Sequence, residues 1–123
     1  MNEDEVISLI RKHIEGFFPK LCGNCGRRFD TLKEYIQTTD IRGSVISHDV
    51  SFGDWEPETP LGTVTYANCP CGSTLSLGSA GMALPLLWSL MAWLKIETKK
   101  RGLDQEELLN YLRDKICEQV LLE

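Results

Sequence analysis

Asn68-Cys69-Pro70-Cys71-Gly72-Ser73 places two thiols one residue apart, and a pair that close makes sense mainly when residues distant in sequence complete its site. Leu21-Cys22-Gly23-Asn24-Cys25-Gly26 supplies the complement. Together Cys22, Cys25, Cys69 and Cys71 offer four soft ligands. A tetrahedral all-thiolate set is the composition of a closed structural zinc site, with metal–sulfur distances near ~2.3 Å. The expected cofactor is one structural Zn2+ per chain.

Outward from the second pair, Thr63 to Asn68 is β-branched and aromatic, and Thr74 to Leu77 is a further strand, so the two form a hairpin whose tip is Cys69-Pro70-Cys71-Gly72. Upstream, Ser44 to Phe52 alternates with strand period, with Ile46, His48, Val50 and Phe52 on one face and Val45, Ser47, Asp49 and Ser51 on the other. The proline- and glycine-containing stretch from Gly53 to Gly62 separates these strands. Around the first pair, Gly23 and Gly26 permit the tight turn that points backbone amides at thiolate sulfurs.

The flanking segments carry helical periodicity. Asn2 and Glu5 form a capping pattern ahead of Val6, Ile7, Leu9, Ile10, Ile14 and Phe17, with Gly16 in a left-handed terminal position and Pro19 ending the helix. Asp30 is the expected cap of a short helix over Thr31 to Gln37, with Phe29, Leu32, Tyr35 and Ile36 inward, ended by Thr38-Thr39-Asp40 and Arg42-Gly43. A longer helix runs from about Met82 to Lys100, apolar on nearly every side in its first half and so expected to be covered on most of its surface. Trp88, Met91 and Trp93 on this helix read first as core, and otherwise as a partner or small-molecule groove. Lys99-Lys100-Arg101 suits the negative end of its dipole, and Gly102 closes it. Asp104 with Glu107 opens a last helix, Leu103 and Leu108 form its hydrophobic staple, and Leu109, Leu112, Ile116 and Val120 make its stripe. Cys117, on the same helix, reads as a small core residue.

Composition narrows the function classes. With 13 Lys+Arg against 18 Asp+Glu, the formal net charge is −5, which argues against a general nucleic-acid-binding surface. The acidic Met1-Asn2-Glu3-Asp4-Glu5 lacks the basic and apolar regions of a secretory signal, so the expected compartment is the reducing cytoplasm, where paired cysteines favour metal over disulfide. The most apolar run, Met82 to Ile96, is shorter than the ~20 residues that cross a bilayer. Arg27-Arg28 beside the first pair reads as a solvated charged edge rather than a phosphate contact.

The Cys22-Gly23-Asn24-Cys25-Gly26 segment resembles the knuckle of zinc ribbons and rubredoxins, in which C-x-x-C-G recurs, and Cys71-Gly72-Ser73 resembles the close of a second knuckle. The second pair departs from the pattern as C-x-C, and the intervening stretch from 26 to 68 exceeds the ~15–20 residues of a compact ribbon, so it reads as an insertion of a helix and a strand. The stretch from Cys22 to Ile36 also looks like the small cysteine-containing modules attached to bacterial signalling proteins.

The expected architecture is a single α+β domain spanning 1–123. An N-terminal helix occupies 1–20, a zinc-bearing core with a small antiparallel sheet occupies 21–78, and a helical hairpin occupies 79–123. The expected function is a non-enzymatic, zinc-stabilised protein-interaction or regulatory module, with a protein partner or a homodimer formed through the last two helices. Two alternatives remain from other classes. One is a thiol redox sensor using the Cys22/Cys25 and Cys69/Cys71 pairs. The other is a small enzyme using His48 with Asp49, Asp54, Glu56 and Glu58.

Overall fold

The computed structural model describes residues 1–47, 63–79 and 81–123. The first helix, α1 (Glu3–Glu15), starts as its cap residues dictate: the Asn2 side chain accepts from the Glu5 backbone N–H at 2.9 Å and donates to the Glu5 carboxylate at 3.2 Å. Val6 and Ile7 are buried. Gly16 ends the helix with right-handed backbone (φ −65°) rather than the expected left-handed one, because Phe17 and Phe18 continue the tightening turn by donating to the Ile14 and Glu15 carbonyls. Phe17 therefore leaves the helical stripe and lies edge-on to His13, with ring centroids 5.2 Å apart.

A two-stranded ribbon of β1 (Lys20–Leu21) and β2 (Arg28–Phe29) carries the first cysteine pair. The next helix, α2 (Leu32–Thr38), is capped by Thr31 rather than by Asp30: the Thr31 hydroxyl accepts from the Glu34 N–H at 3.2 Å. Asp30 is taken by Arg28, at 2.6 Å, and its own N–H donates to the Glu34 carboxylate.

The following strand also begins earlier than the alternation suggests. Strand β3 (Asp40–Ser47) passes through Gly43, whose φ of +68° sits at a register shift between Arg42 and Ile46. The expected continuation to Phe52 lies outside the described residues. Strand β3 pairs antiparallel with β4 (Thr63–Asn68), and β4 pairs antiparallel with β5 (Thr74–Gly78), giving the order β3-β4-β5. The pairings Ile41 with Ala67, Ala67 with Leu75, and Thr65 with Leu77 put Ile41, Thr65, Ala67, Leu75 and Leu77 on one face of the sheet. That face looks at the helices.

Helix α3 (Leu84–Arg101) and helix α4 (Gln105–Leu121) form a helical hairpin. Gly102 adopts left-handed backbone (φ +68°), and Asp104 with Glu107 makes a complete capping box. The helices are buried to very different extents. Helix α4 buries Leu108, Leu109, Leu112, Ile116 and Val120, a stripe wide enough to pack against β3, α2, α3 and α1. Helix α3 buries Leu90, Trp93 and Leu94 but leaves Leu84, Trp88 and Ile96 more than half exposed, so among the described residues the expected cover on most of its surface is absent. Cys117 is half-buried, and burial raises its thiol pKa.

Ion pairs tie these layers together. Arg11 of α1 forms a bidentate pair with Glu123 beyond α4. Arg101 pairs with Glu3 and Glu97, each at 2.8 Å, and stacks on the rings of Trp93 and Tyr111. Among the described residues no helix is long and apolar enough to cross a membrane. A three-stranded antiparallel sheet faced by helices, with the cysteines at one end, is the expected α+β arrangement.

Tyr35 of α2 is 3% exposed and packs edge-on against Phe18 and Phe29. Burial pushes its phenol pKa up to about 12 from 10.0. The unfolded chain ionises this group near its ordinary value while the folded chain keeps the proton. The stabilising contribution is therefore complete below about pH 10 and is lost as pH rises towards 12. Tyrosinate absorbance should show a step centred at about 12 that Tyr35→Phe removes.

Candidate metal centre

The four cysteines stand at the tips of two hairpins that share one construction. In the first, the Cys22 N–H donates to the Arg27 carbonyl at 2.9 Å and the Gly26 N–H to the Cys22 carbonyl at 2.9 Å. In the second, the Cys69 N–H donates to the Ser73 carbonyl at 2.8 Å and the Gly72 N–H to the Cys69 carbonyl at 2.8 Å. Each turn closes on the glycine after its second cysteine, at φ +75° for Gly26 and +93° for Gly72. A Cβ at either position would meet nothing within 4 Å, so glycine is needed there for backbone conformation and not for space. The first turn encloses one residue more than the second, which is why one pair reads C-x-x-C and the other C-x-C.

The tips meet. Cys22 Sγ lies 3.7 Å from Cys71 Sγ, Cys25 Sγ lies 3.7 Å from Cys69 Sγ, and all four sulfurs fall within 4.8 Å of one another. A tetrahedron with metal–sulfur bonds of ~2.3 Å has edges of ~3.8 Å, so the cross-hairpin separations fit a four-coordinate ion. A disulfide requires ~2.05 Å between sulfurs, and all four cysteines are free thiols. Among the described residues this is the one cluster of His, Cys, Asp or Glu side chains spaced to hold a metal ion.

The chain matches no family model, no curated protein and no solved structure.

The donor chemistry of the cluster agrees with its spacing. Backbone amides of Cys25 and Asn24 donate to the Cys22 sulfur and lower its thiol pKa. The Asn24 side-chain amide reaches across to Cys71 Sγ at 3.5 Å, and with the backbone N–H and hydroxyl of Ser73 it brings the Cys71 thiol down to about 5. Cys69 moves the other way. The Cys71 N–H favours its thiolate, but burial and the sulfurs of Cys71, Cys25 and Cys22 outweigh that and push it up to about 12. Four sulfurs this close cannot all carry negative charge without a cation among them, and a divalent ion would supply that counter-charge.

The centre is half sheltered. Cys22 and Cys69 are 1% and 3% exposed, whereas Cys25 and Cys71 face solvent. Arg27 lies over the Phe29 ring at 5.9 Å and Arg28 is engaged by Asp30, which makes this a solvated charged edge. The alternative cluster of His48, Asp49, Asp54, Glu56 and Glu58 lies outside the described residues. Asn24 is the contributor that the sequence does not reveal: the middle of a C-x-x-C carries no signal for a bond to a cysteine 47 positions away. Hydrogen bonds to ligand atoms tune metal sites by roughly 10- to 100-fold in affinity. Asn24→Ala should weaken metal binding within that range while keeping metal stoichiometry, as measured by competition with a chromophoric chelator.

Proposed function

We propose that the chain is a non-enzymatic, zinc-stabilised regulatory module that acts by protein–protein contact. One structural zinc ion, held by Cys22, Cys25, Cys69 and Cys71, clamps its two hairpin tips. The tetrahedral spacing of four thiols drawn from distant stretches carries this reading. A four-thiolate shell leaves no open coordination position for a substrate, which supports a structural role over a catalytic one.

Elemental analysis should find about one zinc per chain. A strong chelator should abolish cooperative unfolding, since structural zinc contributes ~10–16 kcal/mol of apparent folding free energy against a typical net stability of ~5–15 kcal/mol. Cys69→Ser should behave like the chelated protein. Iron in place of zinc would redirect the reading to electron transfer, and a metal-free chain with an unchanged melt would overturn it.

The contact surface in this proposal is the outward face of α3, and the partner is a second copy of the chain. Leu84, Trp88, Ala92 and Ile96 recur at four-residue intervals and are exposed. Such a row is one ridge of the packing in which two helices interdigitate at about −50°. Sedimentation should show a dimer at high concentration that Trp88→Glu returns to monomer with its zinc content unchanged. A wild-type monomer throughout would remove self-association.

Exposure of Cys25 and Cys71 favours a second reading, thiol redox sensing. In that case peroxide would take two electrons from a pair of thiolates, form one disulfide, be reduced to water and release the zinc reversibly. A purely structural centre should keep its zinc under the same mild treatment.

A further inference from the structure

The sheet ends on β3 at one side and on β5 at the other, and the chain treats these two edges differently. An open edge offers a row of backbone N–H and C=O groups to any other strand, and proteins blunt it with charge, proline, a bulge or cover. Strand β3 is blunted. Gly43 breaks its register at φ +68°, and the Arg113 guanidinium donates to the Gly43 carbonyl at 2.7 Å. Strand β5 carries none of these devices: Thr74-Leu75-Ser76-Leu77-Gly78 holds no charge and no proline, and it pairs with β4 in unbroken register.

The ladder with β4 decides where the polar groups of β5 point. The Cys69 N–H donates to the Ser73 carbonyl at 2.8 Å, so these opposed residues form a hydrogen-bonded pair. Hydrogen-bonded and non-hydrogen-bonded pairs alternate along an antiparallel ladder. Continuing the register, Ala67 with Leu75 and Thr65 with Leu77 are hydrogen-bonded pairs, whereas Asn68 with Thr74, Tyr66 with Ser76 and Val64 with Gly78 are not. The backbone N–H and C=O groups of Thr74, Ser76 and Gly78 therefore point away from β4. Among the described residues nothing pairs with that edge.

The occupant of the edge follows from the strand's own pattern, which alternates in the same way when read from either end about Ser76. A two-fold axis at Ser76 sets this residue against Ser76 of a second copy, Leu75 against Leu77 of the second copy and Thr74 against Gly78 of the second copy. Leucine then meets leucine on the inner face, where both are buried, and small or hydroxyl side chains meet on the other. No like charges are opposed. The outward backbone row of one copy meets the same row of the other, N–H to C=O, which is the self-complementarity of an isologous contact. The axis is perpendicular to the sheet, so both helical layers stay on one face of it.

We propose that β5 pairs antiparallel with β5 of a second copy about a two-fold axis at Ser76, joining two three-stranded sheets into one of six strands. This rests on the self-association proposed for α3 and adds a backbone contact to it. Edge pairing over five residues is about 17 Å long and is by itself too small for a standard interface of ~1,600 Å². The exposed row of α3, on the same side of the joined sheet in both copies, is the further contact that the dimer needs.

The test uses the full chain, as purified, in sedimentation and amide hydrogen exchange across a concentration series. Amides of Leu75 and Leu77 should be protected at every concentration, whereas those of Thr74, Ser76 and Gly78 should gain protection only as the chain self-associates. Ser76 is exposed, so Ser76→Lys and Ser76→Glu should leave the melt of the monomer unchanged. Each variant opposes like charges across the axis and should raise the dimer dissociation constant roughly 2- to 5-fold. An equimolar mixture of the two should restore the dimer to wild-type strength or better. Ser76→Pro removes the outward N–H without taking a bond from the β4 ladder and should weaken the dimer on the order of 10-fold.

Three results would overturn the β5 contact while leaving self-association through α3 in place: a dimer whose Ser76 amide stays unprotected, a Lys/Glu mixture that dimerises no better than either variant alone, or an unimpaired Ser76→Pro dimer. A wild-type chain that stays monomeric overturns both readings, so the two failures are told apart.

Discussion

Four cysteine sulfurs held within 4.8 Å of one another impose the demand that the rest of the molecule meets. Each tip turns on a glycine at positive φ, and each turn sends backbone amides towards sulfur. Those amides stabilise thiolate charge locally, but at Cys69 burial and the neighbouring sulfurs outweigh them and drive its thiol in the opposite direction from those of Cys22 and Cys71. The fold supplies position, and a bound cation would supply charge. Behind the first tip, Phe29 is fully buried and packs on Tyr35; behind the second, β4 and β5 lead directly into the sheet. The centre is thereby continuous with the core.

Helix α4 performs the corresponding task at the other end of the core. It touches α1, α2, α3 and β3, and Leu108 and Leu112 are among its most deeply buried side chains. Polar contacts fix its azimuth: the Tyr111 hydroxyl donates to Glu3, and Arg113 donates to the carbonyl of Gly43, where the β3 register shifts. Helix α3, by contrast, buries only Leu90, Trp93 and Leu94 among the described residues. The same helical hairpin thus contains a helix enclosed by the chain and another whose apolar row faces outward.

Local chemistry was legible in the sequence wherever neighbouring residues decide the outcome. The cysteine quartet, the hairpin tip at Cys69 to Gly72, the Asn2 cap, the Gly102 terminus and the Asp104–Glu107 box all depend on residues a few positions apart. Legibility failed where a distant group casts the deciding contact. Asp30 and Thr31 are both good helix caps, and Arg28 settles the choice by holding Asp30. Asp40 and Gly43 carry turn chemistry, yet pairing with β4 draws them into a strand, with Gly43 absorbing the irregularity. Helix α3 is apolar around most of its circumference, so its sequence could not say which face the chain would cover. Asn24 and Thr65 look ordinary until one is seen to reach the distant Cys71 sulfur and the other to lack a hydroxyl partner among the described residues.

The wide separation of the two cysteine pairs also bears on the order in which the molecule assembles. An ion bridging them would convert residues 26 to 68 from an open segment into a ring that contains β2, α2, β3 and β4. Closing a flexible loop of that length costs roughly 3 kcal/mol of chain entropy, and the bridge meets that cost in one step. Measured along the shortcut, the meeting of the first hairpin with the sheet becomes a short-range event, and the effective contact order falls. A chain bridged in this way would fold as a circle with two helical tails, α1 on one side and the α3–α4 hairpin on the other, rather than as a line searching for its own distant end.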